Sequence, residues 1–183
     1  MLRKLFRRSE DAGRTAALSL YEQIVAAARQ PAFYAQWNVP DTPLGRFEMV
    51  SMHMVLFLRR IRGEAGDLSR IGQILTDEFF LDVDHSLREL GISDVGVPKR
   101  MKKLARMFYG RAQSYSDALD SRDHAALGLA IGRNIRPDEL HWADTGNLAS
   151  YMERASAFLA EQSLTSFAEG RLEFGPVFEE SFS

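Results

Sequence analysis

The chain contains no cysteine, which excludes disulfide staples, thiolate metal sites and cysteine nucleophiles and fits a reducing compartment. Its apolar runs are broken by charge well before the roughly 20 residues needed to span a bilayer, and no signal-type hydrophobic segment follows the basic start. A soluble protein is expected. Net charge is scarce too: 23 basic and 25 acidic residues leave −2 at pH 7, so attraction to a polyanion must be local. A Gly-x-Ser-x-Gly elbow and a phosphate loop are both missing, and the 4 histidines are scattered among unrelated segments, so an enzyme is not expected.

Of the 183 residues, 45% are hydrophobic and 26% charged, enough apolar area to offset chain entropy in one ordinary domain. Helical periodicity appears almost everywhere and strand-like alternation almost nowhere. The expected fold is all-α: a single-domain helical bundle of about five to seven helices with an extended C-terminal tail. Residues 1–13 are read as a basic flexible N-terminus, 14–168 as the helical domain and 169–183 as the tail. The opening MLRKLFRR mixes apolar and basic side chains in a way that suits peripheral contact with an anionic membrane.

A first helix is expected from about Thr15 to Arg29, with a further turn opened by Pro31 through Phe33, Tyr34 and Trp37. Pro40 and Pro43 make the next segment a loop, after which Thr42 caps a central helix carrying Phe47, Val50, Met54, Phe57 and Ile61. Asp67 is expected to cap a third helix, which Gly91 ends, and Pro98 opens a fourth with Met101, Leu104, Phe108, Ala112, Tyr115 and Leu119 inward. Shorter helices are expected at about Asp123–Arg133 and Pro137–Trp142, and a longer one at about Thr145–Ser163.

The richest stretch runs from Asp77 to Arg111, an acidic half followed by a basic one. As an antiparallel hairpin it would set Asp82 to Glu89 beside Lys99 to Arg106, partly neutralising both. Its candidate contact residues are Asp82, Asp84, Arg88, Lys99, Arg100, Lys102, Lys103, Arg106, Tyr109 and Arg111. Glu78, Asp82, His85 and Glu89 share one helical stripe, which fits either a solvated, ion-paired face or the metal site of a helical enzyme. A metal site of that type needs a second Glu-x-x-His-like helix, and none is visible, so no metal or cofactor is expected. The basic run fits an acidic partner, or RNA or a ribosome, though the aromatic interleaving of a single-strand platform is lacking. Arg46 and Glu48 are expected to anchor the preceding loop or to touch a partner. Phe33, Tyr34 and Trp37 are expected to expose apolar area.

With these residues in hand, the chain resembles the ubiquinol-cytochrome c chaperone family, the assembly factors of the cytochrome bc1 complex. The resemblance rests on LYEQIVAAARQPAFY (Leu20 to Tyr34), VPDTPLGRFEMV (Val39 to Val50), FFLDVDHSLRELGI (Phe79 to Ile92) and VPKRMKKLARMFYGR (Val97 to Arg111). It implies a non-enzymatic, mostly helical chaperone that helps newly made cytochrome b mature, or that binds another bc1 assembly component. With no long Arg- and Ser-rich transit sequence, the chain looks like a bacterial member acting in the cytoplasm, at the cytoplasmic face of the inner membrane.

Overall fold

The computed structural model describes residues 2–139 and 141–178. Among them there is no strand. Six longer helices, α1 (Leu2–Ala28), α3 (Pro43–Arg60), α4 (Asp67–Glu89), α5 (Val97–Ser121), α6 (His124–Ile135) and α7 (Thr145–Glu161), are joined by two single turns, α2 (Pro31–Ala35) and α8 (Leu164–Ala168). The all-α expectation holds.

The central helix is α3, buried on every side from Phe47 to Phe57, as a helix enclosed by its neighbours must be. It packs on α1, α5 and α7, while α4 lies on α1 and α6 bridges α5 and α7. Its start follows the local chemistry. Thr42 is extended and its hydroxyl accepts from the Gly45 amide at 3.1 Å, with Pro43 at the first helical position, where a missing amide costs nothing. Gly45 is obligatory at this corner, because a Cβ there would stand 1.9 Å from the Pro40 carbonyl oxygen.

Several local expectations need correction. Backbone helix begins at Leu2 rather than near Thr15. Asp67 is not a cap: Gly66, at φ +69°, takes that place, and Asp67 sits in the first turn, where its charge complements the helix dipole. Pro137–Trp142 is turn among its described residues, since Arg136 before the proline leaves the helical region at φ −131°, ψ 69°. The turn α8 has too few residues to show a period.

The tail is docked as far as it is described. Gly170, Leu172, Phe174 and Val177 are buried. Gln23 donates to the Gly170 carbonyl at 2.7 Å and accepts from the Leu172 amide at 2.8 Å, stitching tail to α1. Residues 179–183, including Phe182, lie outside the described residues.

Candidate functional site

The α4–α5 hairpin is held by aromatic rings at the level where α3 begins. Phe47 stacks on Phe79 at 5.7 Å, and Phe79 meets Phe108 at 5.1 Å. Beside them Arg111 donates from Nε and Nη2 to both carboxylate oxygens of Glu48. Their side chains are 7% and 1% exposed. Burial pushes the Glu48 carboxyl up to about 7, against the pull of the guanidinium. Neither residue is therefore available to a partner as the sequence suggested. Arg46 does anchor the loop, donating to Asp41 at 2.7 Å on the surface and holding that carboxyl below its ordinary range. Glu48 does not anchor the loop, because its partner lies on α5.

From that level outward the hairpin runs past the end of α3. Glu48 sits opposite Arg111 and Arg59 opposite Asp120, so α3 and α5 run in the same direction. The first residues of α5 therefore extend beyond Pro43 by on the order of 15 Å at 1.5 Å per residue. Between Arg88 and Met107 only Val97 is buried. Leu87 and Val97 are buried outside the main core. The hairpin turns at Gly91, whose φ of +77° supplies the left-handed step that ends α4.

The expected neutralisation across the hairpin is absent. Helices pack through their apolar seam, here Phe80 against Phe108 at 5.7 Å and Tyr109 at 6.3 Å, and this turns the charged faces apart. On the α4 side the acids find partners elsewhere. Asp82 accepts from the Tyr21 hydroxyl at 2.9 Å, and Glu78 pairs with Arg14 at 3.5 Å. His85 pairs with Glu89 at 3.4 Å. Arg88 bridges Asp84, at 2.7 Å, and Asp94. No group of three or more metal-ligating side chains converges among the described residues, so the expected stripe resolves into contacts with α1 and within α4.

On the α5 side Lys99, Arg100, Lys102, Lys103 and Arg106 are all exposed. None of their side chains makes an ion pair or hydrogen bond among the described residues. No acid occurs from Val95 to Ser116. Tyr109 is 59% exposed on the same face. Leu90 is 56% exposed at the hairpin tip and Val95 is 91% exposed. These apolar contributors were missed, because a turn has no period to mark its exposed side.

The other expected patch is interior. Phe33 is fully buried and Trp37 nearly so. Phe33 meets Trp37 at 5.6 Å and Tyr151 at 5.0 Å, and Phe174 from the tail packs edge-on to His53 at 4.8 Å. Tyr34 is half-buried, its hydroxyl donating to the Ala28 carbonyl at 2.9 Å. The His53 Nδ1 lies 2.8 Å from the Met49 carbonyl, which can only accept, so Nε2 accepts from the Tyr151 hydroxyl at 2.8 Å. Burial pulls His53 down to about 4. These aromatics knit α2, α3, α7 and the tail together rather than forming an exposed face.

The fold is thus an all-α domain that braces a hairpin with a buried ion pair and leaves the side chains of Lys99, Arg100, Lys102, Lys103 and Arg106 exposed without an ion pair among the described residues. The chain belongs to the ubiquinol-cytochrome C chaperone family, whose model matches residues 35–174, more than half of its length and all of the hairpin. It is similar to ubiquinol-cytochrome-c reductase complex assembly factor 1 of Xenopus laevis, at 24% identity over 120 residues, and to the human factor of that name, at 25% over 120 residues. Each match covers 66% of this chain, but only 60% of the frog protein and 40% of the human one. The crystal structure of the Cbp3 homolog from Brucella abortus superposes with a TM-score of 0.90 at 53% identity, covering 97% of this chain and 98% of that one.

Proposed function

We propose that this protein is a non-enzymatic assembly chaperone of the cytochrome bc1 complex. It engages newly made cytochrome b or another assembly component, and works peripherally at the cytoplasmic face of the inner membrane. The observation that carries this is the projecting α4–α5 hairpin, whose exposed α5 cations have no side-chain partner among the described residues while its base is locked by Glu48 and Arg111. A hairpin of this kind is stable without its partner and available to it.

The mechanism is holding. Leu90, Val95 and Tyr109 offer exposed apolar area, worth about 25 cal/mol for each Å² covered. The cations fix orientation and speed encounter more than they add affinity. The apolar contribution assigned from sequence to Phe33 and Trp37 passes to the hairpin, since those rings are spent on the core.

The test is deletion of the protein followed by measurement of cytochrome b and assembled bc1 complex. Loss of both, restored by the wild-type chain but not by one carrying Lys99→Glu, Lys102→Glu and Lys103→Glu, is expected. Normal bc1 levels in the deletion strain would remove the reading.

A further inference from the structure

We infer that the cationic face of α5, together with the tip of the hairpin, docks on the anionic headgroups of a lipid bilayer. This names a partner for the site proposed above and rests on that reading. Lys99, Lys103, Arg106 and Gly110 follow one another at i, i+4, i+7 and i+11, with Lys102 and Tyr109 alongside, so they form one stripe. It lies opposite the buried line of Val97, Phe108 and Tyr115. The hairpin's acids make no ion pair with it: Asp82 accepts from the Tyr21 hydroxyl, Asp84 and Asp94 contact Arg88, and Glu89 lies beside His85.

Charge alone would suit any polyanion, and the apolar residues decide between them. Val95 and Leu90 stand out at the tip beside the first cations, and a phosphate backbone offers neither of them a contact. A bilayer surface does, taking aliphatic side chains below the headgroups and a tyrosine such as Tyr109 at headgroup depth. Single-stranded RNA would require a row of stacking rings, and from Val97 to Gly110 only Tyr109 is an exposed aromatic. No described helix is long and apolar enough to cross a membrane, so contact made through this face is peripheral.

Each Lys or Arg brought near an anionic surface is worth about five-fold in partitioning. The purified full-length chain is sedimented with vesicles of phosphatidylcholine containing about 30% phosphatidylglycerol, and with phosphatidylcholine alone, at about 100 mM salt. Binding to the anionic vesicles only is expected. The variant Lys99→Gln/Lys102→Gln/Lys103→Gln should bind about 100-fold more weakly. Leu90→Ser/Val95→Ser should also weaken binding with every charge in place. Gly110→Lys, at a position where a Cβ meets nothing within 4 Å, should bind about five-fold more tightly, which keeps the test decisive if a loss-of-binding variant misfolds.

Three results would overturn the inference: no preference for anionic vesicles, vesicle binding unmoved by the Gln or Lys changes, or equal binding to a single-stranded RNA oligonucleotide that ignores Leu90→Ser/Val95→Ser. Vesicle binding is read without any bc1 component, so its failure leaves the chaperone reading standing. Normal cytochrome b in the deletion strain, conversely, leaves lipid docking standing.

Discussion

Replacing Arg111 by Met leaves Glu48 buried with its two charge-assisted hydrogen bonds gone. The Glu48 side chain is 1% exposed, so water cannot substitute, and either the carboxylate stays charged in a low dielectric or it takes up a proton. Breaking a buried pair from one side costs about 3–5 kcal/mol, which lowers the melting temperature of a chain this size by roughly 6–20 °C. The cost depends on pH. Burial already holds Glu48 at about 7 with Arg111 present, and without the guanidinium it rises further. The penalty should therefore be largest near pH 8 and smaller near pH 5, where the orphaned carboxyl is neutral. The double variant Glu48→Leu/Arg111→Met removes both charges and should recover to within about 1 kcal/mol of wild type. Urea titration of wild type, Arg111→Met, Glu48→Leu and the double variant at both pH values reads all of this as a double-mutant cycle. A loss under about 1 kcal/mol for Arg111→Met at pH 8 would refute the claim that this pair braces the hairpin.

Further outcomes follow from the same contacts. Gly45→Ala should destabilise by about 3 kcal/mol or more, because its Cβ meets backbone at Pro40 that cannot swing away. Gly110→Ala, in open space on an exposed helix face, should stabilise by about 0.5–1 kcal/mol, and thermal melts compare the two. His53 is neutral in the fold, with its pKa lowered to about 4. The unfolded chain thus binds the extra proton first, and the contribution of His53 is complete above pH ~6.5 and lost as pH falls towards 4, about 3 kcal/mol in all. Glu48, raised rather than lowered, contributes with the opposite sign, so the His53 part is read as the difference in pH dependence between wild type and His53→Gln. Phe174→Ala empties a buried ring site against His53 and should cost about 3–5 kcal/mol, with limited proteolysis cutting residues 171–178 earlier than in wild type.

The helices were legible wherever a cap and a period coincided. Thr42 with Pro43 marked the start of α3, and Gly91 with Pro98 marked the hairpin, because these residues act through their own backbone and need no distant partner. Burial was legible only where period and neighbours agreed. Phe33 sits in a single turn that has no period and Trp37 just after it, and the rings that cover them, Tyr151 and Phe178, lie more than a hundred residues away. Nothing local distinguishes that from an exposed aromatic patch. Leu90 shows the converse: it follows buried Leu87 at helical spacing, but the hairpin outruns the core that would have covered it.

The basic run carries the same lesson within one helix. Arg106 and Arg111 look alike in sequence, yet Arg106 is exposed with no side-chain partner among the described residues and Arg111 is buried in an ion pair. The signal that separates them is the line Phe108, Arg111, Tyr115, spaced i, i+3, i+7, which places Arg111 on the buried face, while Glu48 lies on α3 among residues enclosed on every side. Phe108 marks the boundary between two uses of positive charge. On its C-terminal side Arg111 is spent on stability, in a pair that desolvation makes costly to break from either end. On its N-terminal side the cations are solvated and cost the fold little, so stability places few limits on them. Exchanging Lys99, Lys102 or Lys103 for Gln should therefore leave the melting temperature within a degree or two while changing what the hairpin binds, and Arg111→Met should lower it before any partner is added.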